Sequence, residues 1–129
     1  MDVQLVSPES ILYQGVGKMV VVRTLGGGDI AFEDNHAPFL GALADWPARV
    51  KFEDGTQAWF AVHGGFVEVG HNQVIILSDV AELPAEIDVA RAEAAKTRAD
   101  EALRADAEDE AARHAAARAE VRLEVARNA

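Results

Sequence analysis

The chain has 129 residues, half of them apolar by a broad count, with a formal charge of −10 and no cysteine. That length fits one domain, or one domain with an appendage. No apolar run reaches the ~20 residues that cross a bilayer, the opening MDVQLVSPES lacks a signal-peptide pattern, and without thiols there is neither a disulfide framework nor a thiolate site. Charge is unevenly spread: residues 1–86 hold 4 Lys/Arg against 12 Asp/Glu, and residues 87–129 hold 8 against 10. The acidic first part would repel a phosphate backbone, which argues against a nucleic-acid partner.

From Val3 to Leu77 short β-branched runs alternate with turn chemistry. KMVVVRTL (Lys18–Leu25), ARVKF (Ala48–Phe52), QAWFAVH (Gln57–His63), GFVEVG (Gly65–Gly70) and QVIILSD (Gln73–Asp79) are predicted strands. Asp54-Gly55 and Gly70-His71-Asn72 suit tight hairpin turns. Between the first two runs, GGGDIAFEDNHAPFLGAL (Gly26–Leu43) reads as a glycine-rich turn, a strand and a long ordered loop, with Asn35 tolerant of positive φ and Pro38 holding a corner. Strands at this spacing predict an antiparallel β-sandwich over residues 1–84 with its own core.

The period changes at ELPAEIDVARAEAA (Glu82–Ala95). Asp88 suits an N-cap, and Val89–Asp106 lacks Gly and Pro, so propensity predicts a helix. A break near Asp106–Glu110 precedes a second helix to about Ala126. Ala92, Ala95, Ala99, Ala102 and Leu103 form one stripe, and Ala112, Ala115, Ala119, Leu123 and Ala126 another. These predict an antiparallel two-helix hairpin over residues 85–129, giving an α+β fold of two domains. An alanine seam buries little area, so the hairpin should be helical yet weakly held. Asp100–Arg104 and Asp109–Arg113 are expected i, i+4 ion pairs.

Catalytic chemistry is not legible. His36, His63, His71 and His114 lack metal-ligand spacing, so no metal site is expected. Gly26–Asp29 lacks the Lys and Ser/Thr of a phosphate loop, and Ser7, Ser10 and Ser78 lack a nucleophile-elbow context. The arginines of the tail are by default a solvated face. A small enzyme on a sandwich is therefore disfavoured, and no catalytic residue is assigned.

Four stretches in order carry a resemblance over nearly the whole chain: VQLVSPESILYQG (Val3–Gly15), NHAPFLGAL (Asn35–Leu43), AVHGGFVEVGHNQVIILSDVAE (Ala61–Glu82) and EIDVARAEAA (Glu86–Ala95). Together they resemble the epsilon subunit of the bacterial F-type ATP synthase, the delta subunit in mitochondrial naming. Ala31, Asn35 and the Asp45–Val50 segment depart from the family pattern on one rim. The resemblance implies a non-catalytic central-stalk subunit, peripheral on the cytoplasmic face of the bacterial inner membrane, with no required cofactor. Its implied partners are the gamma subunit, the c-ring and, when the hairpin extends, the beta and alpha subunits. Asp29 and His36 are the implied ring-facing residues. Arg113, Arg118, Arg122 and Arg127 are the implied contacts through which an extended hairpin inhibits ATP hydrolysis. ATP as a regulatory ligand is implied for Glu82, Ile87, Asp88, Arg91, Ala92, Arg98, Arg118 and Arg122. A stand-alone nucleotide-sensing module is the alternative, distinguished by binding ATP without gamma.

Overall fold

A computed structural model describes all 129 residues. Ten strands come first: β1 Asp2–Val6, β2 Ile11–Val16, β3 Met19–Thr24, β4 Gly28–Glu33, β5 Phe39–Ala42, β6 Ala48–Lys51, β7 Gln57–Val62, β8 Phe66–Gly70, β9 Gln73–Leu77 and β10 Ala81–Glu82. A single 3₁₀ turn at Pro84–Glu86 leads to helices α1 Val89–Ala105 and α2 Glu110–Asn128. The strands form two five-stranded sheets, in the orders β2-β1-β9-β8-β5 and β10-β7-β6-β3-β4.

Alternation along the strands sets the core. Val3, Leu5, Val67, Val69, Val74 and Ile76 point inward from the first sheet and meet Val20, Val22, Phe32, Val50, Phe60 and Val62 from the second. Asp54-Gly55 lies in the β6–β7 connection and His71-Asn72 closes β8–β9 with φ of 51° and 56°, the left-handed pair of a two-residue hairpin turn. Asn35 also takes positive φ, 62°, and its N–H donates to Asn72 Oδ1 at 3.1 Å, tying two loops together.

Besides strands β1, β2 and β10, which the sequence reading does not single out, two features differ from it. The ladder between β1 and β9 is parallel. The hairpin signals that report antiparallel neighbours act only locally, whereas this pair joins strands separated by most of the sandwich. The stretch read as a long loop also contains β5, which pairs with β8. Its four residues, interrupted by Gly41, are too few to show a period.

The outer face of the first sheet carries an apolar row. Cross-strand register aligns Ile11, Val6, Leu77, Phe66 and Ala42 across all five strands. Ile11, Leu77 and Phe66 are exposed, as is Leu40 one row away. The helices lie elsewhere: α2 packs on β7, in the second sheet.

Candidate functional site at the sandwich–hairpin junction

Strand β10 is only two residues long, but its pairing with β7 sets Glu82 opposite Ala61. This places the carboxylate beside His63. Pro84, with its fixed φ, then opens a tight turn, and Glu86 accepts the Leu83 N–H at 2.8 Å. Asp88 caps α1 by accepting the Arg91 N–H at 3.1 Å, as predicted, although the Arg91 guanidinium makes no ion pair with it. Asp109 caps α2 through the Ala112 N–H at 3.0 Å.

The hairpin closes along its alanines, with Ala92 and Ala99 buried on α1 and Ala112 and Ala119 on α2. Its ion pairs are not those expected from spacing. Asp100 pairs with Lys96 at 3.0 Å, and Lys96 also reaches Glu120 at 3.7 Å across the seam. Arg113 turns to Glu110 and the Ala107 carbonyl because Asp109 is occupied as a cap, and Arg104 has no ionic partner.

A second face of α2 docks on the sandwich. Val121 and Val125 are fully buried against Ala61, with Trp59 and Ile87 around them. Ala61 makes the close approach possible, because its neighbours Phe60 and Val62 point into the core. Burial of two valines contributes about 1.5–3 kcal/mol each. This is a small holding energy for a segment of two helices.

One ionic contact completes the docking. A single Glu82 oxygen accepts the Arg122 Nε–H at 2.8 Å and the His63 Nε2–H at 3.0 Å. A carboxylate only accepts, so His63 is protonated on Nε2, leaving Nδ1 a buried acceptor with no donor. Burial alone would raise the Glu82 pKa, but hydrogen bonds from Arg122 and His63, and the guanidinium charge, hold it below the usual carboxylate value. Burial pushes His63 below its ordinary value despite the neighbouring carboxylate.

Above this contact lies a cavity of about 310 Å³ lined by Glu82, Glu86, Asp88, Arg91, Ala92, Ala95, Arg98 and Arg122. Six of these are among the residues assigned from the sequence to nucleotide. Of the other two so assigned, Ile87 turns into the docking patch. Arg118 is exposed and lines no part of the cavity. Arg91 and Arg98 make no ion pair, whereas Arg122 is held by Glu82. Glu86, Ala95 and His63 were not assigned to a site. Glu86 adjoins the assigned Ile87, Ala95 lies one turn from Arg91 and Arg98, and His63 carries no local motif at all.

The remaining assigned residues are apart from this site. At about 100° per residue, Arg118 and Arg122 share one side of α2, and Arg113 and Arg127 the other. Arg127 pairs with Glu124 at 2.7 Å. Asp29 accepts from Arg23 Nε at 2.9 Å, and the Arg23 guanidinium stacks on Trp46, 3.9 Å from the ring centroid. His36 donates through Nδ1 to the Ala37 carbonyl and meets Phe32 edge-on. Ser78 is buried and donates to the Val80 carbonyl, and His114 lies 4.0 Å from Glu110 on the exposed side of α2.

Comparison with known proteins decides the family. Residues 1–84 match the model for the ATP synthase delta/epsilon chain β-sandwich domain. The chain belongs to the ATP synthase delta/epsilon family. Similar relatives include the ATP synthase epsilon chain of Brevibacillus brevis, 44% identical over 80% of this chain and 77% of that one. The epsilon chain of Streptomyces coelicolor is 38% identical over 98% of this chain and 94% of that one. A chain in the Euglena gracilis mitochondrial ATP synthase structure containing OSCP, F1 and c-ring has a TM-score of 0.70 at 23% identity, covering 98% of this chain and 76% of that one, and shares the fold. Membership makes this an epsilon subunit, an accessory chain of the synthase rather than its catalytic part. No helix is long and apolar enough to cross a membrane.

The lowered Glu82 value has a defined consequence for this epsilon chain. The unfolded carboxyl titrates near 4.5. Stability from the ionised Glu82 is therefore fully present above that pH and is lost as pH falls through the lower folded value. Urea unfolding should show a free energy whose fall below about pH 5 is shallower in Glu82→Gln than in the parent chain. Near neutral pH, Glu82→Gln and Arg122→Gln should cost about 1–3 kcal/mol each and be non-additive in the double variant. Additive losses would show that the contact does not hold the hairpin.

Proposed function

We propose that this subunit is a rotor component of the central stalk, coupling c-ring rotation to the catalytic head through gamma, with a movable C-terminal hairpin that restrains ATP hydrolysis. The observation that carries the reading is the different use of the two outer sheet faces. The first sheet leaves an apolar row uncovered, as expected of a face awaiting a protein partner. On the second sheet, the hairpin is fastened through two valines and one shared carboxylate. The proposed occupant of the apolar row is the gamma subunit. Asp29 and His36, on the rim, are the proposed contacts with the c-ring, which would put the subunit on the cytoplasmic face of the bacterial inner membrane.

A segment whose helices carry their own caps and high propensity stays helical when it leaves a docking patch, so detachment costs chiefly the patch and the latch. A few kcal/mol of differential contact then decides its placement. Detached, α2 would present Arg113, Arg118, Arg122 and Arg127 to acidic surfaces of the beta and alpha subunits.

The cavity supports ATP as a ligand of the docked form. Arg91 and Arg98 from α1 and Arg122 from α2 converge there, and a guanidinium fork suits phosphate oxygens. A ligand bridging both helices and the sandwich stabilises the docked form by mass action. Its negative charge would compete with Glu82 for Arg122. The cavity also suits the alternative of a stand-alone nucleotide sensor, which differs in having no association with gamma.

In the purified synthase, truncating this subunit at Ala85 should raise ATP hydrolysis severalfold when ATP is scarce. An unchanged rate under all nucleotide conditions would contradict the inhibitory arm. In calorimetry on the isolated full chain, Arg91→Ala or Arg122→Ala should weaken ATP binding about 10-fold or more, the loss for a charged hydrogen bond. Equal affinities would remove the arginine clamp from the proposal.

A further inference from the structure

His63 takes no part in the proposed rotor contacts or in lining the cavity, yet it is the more deeply buried of the two side chains that share the Glu82 oxygen, the other being Arg122 of the hairpin. Its side chain is only 4% exposed. The groups around it come from three elements: Glu82 on β10, Arg122 on α2 and Asp45 in the loop between β5 and β6. The N–H of its Nε2 is used by Glu82, and Nδ1 is buried without any partner. Protonating the docked ring would therefore create a buried N–H with no acceptor, close to the Arg122 guanidinium. Both effects resist the proton.

Detaching α2 reverses each term. Arg122 leaves with the helix, water reaches Nδ1, and the two carboxylates Glu82 and Asp45 stay on the sandwich. The ring then sits beside net negative charge in solvent, the setting that favours imidazolium. We infer that detachment of the hairpin takes up a proton at His63, so that falling pH shifts the subunit toward the detached placement. This rests on the proposed mobility of the hairpin. A proton thus acts opposite to a nucleotide that bridges both helices.

The direction follows from linkage. The docked ring is held below its ordinary value of 6.5, chiefly by burial and then by Arg122, against the raising influence of Glu82 and Asp45. The docked form is favoured fully above the value of the detached ring. That advantage is lost as pH falls through the window down to the docked value, by at most about tenfold in the docked-to-detached ratio per pH unit.

The chain has no cysteine, so labels can be placed uniquely. Spin labels on Glu53→Cys/Asn128→Cys of the full chain give the distance between sandwich and α2 by pulsed electron resonance. Between about pH 8 and pH 5.5 the ratio of short- to long-distance populations should fall severalfold. In the same chain carrying His63→Gln, whose amide keeps a donor to Glu82 but does not titrate, the population should stay nearly constant. An equal pH response in His63→Gln, or a mixture of distances insensitive to pH in the parent, overturns the inference while leaving mobility intact. One short distance at every pH, with the imidazole carbons of His63 titrating as in a fixed site by NMR, overturns the mobility reading and this inference together.

Discussion

One oxygen of Glu82 joins three parts of the chain. It accepts a hydrogen bond from His63 at the end of β7 and another from Arg122 on α2, while its own backbone lies in β10. Without the two-residue strand the carboxylate would not be set beside Ala61. Without the carboxylate, Arg122 and His63 would face each other across a partly buried space with no anion between them. Only there does the polar chemistry of the hairpin meet that of the sandwich at short range, and the cavity with its three arginines opens beside it.

The energetics separate the molecule into a firm part and a loosely attached one. The sandwich buries a continuous core contributed by both sheets. The hairpin holds itself together through alanines and an inter-helix lysine, and touches the sandwich through a patch of three buried residues. Side-chain size governs both interfaces: alanine lets the helices approach, and Ala61 lets α2 approach the sheet. The small area of contact makes the hairpin's placement sensitive to one ion pair, one ligand or one proton.

The sequence made the local elements legible because their signals are local. Asp54-Gly55 and His71-Asn72 mark their hairpins, and Asp88 caps α1 where the β-rich pattern stops. The parallel β1–β9 ladder and the short strand β5 depend on distant partners and leave no period to read. Val121 and Val125 are not legible as a docking face for a related reason. They lie off the alanine stripe, on a second apolar face whose purpose is visible only once β7 is beside it. The clustering around the cavity was legible only through family resemblance, since six assigned residues spread over 41 positions converge by folding. Arg118, one turn from Arg122, faces solvent.

The central claim is that the hairpin leaves the sandwich without the sandwich unfolding. Thiol labelling tests it most directly, because Val121 and Val74 are both fully buried in a chain lacking cysteine. Under native conditions the thiol of Val121→Cys should react through an opening several kcal/mol less costly than global unfolding and nearly independent of denaturant, whereas that of Val74→Cys should react only through global unfolding. Reaction of both thiols with the same opening energy and the same denaturant dependence would show that hairpin and sandwich form one cooperative unit, and would contradict the account.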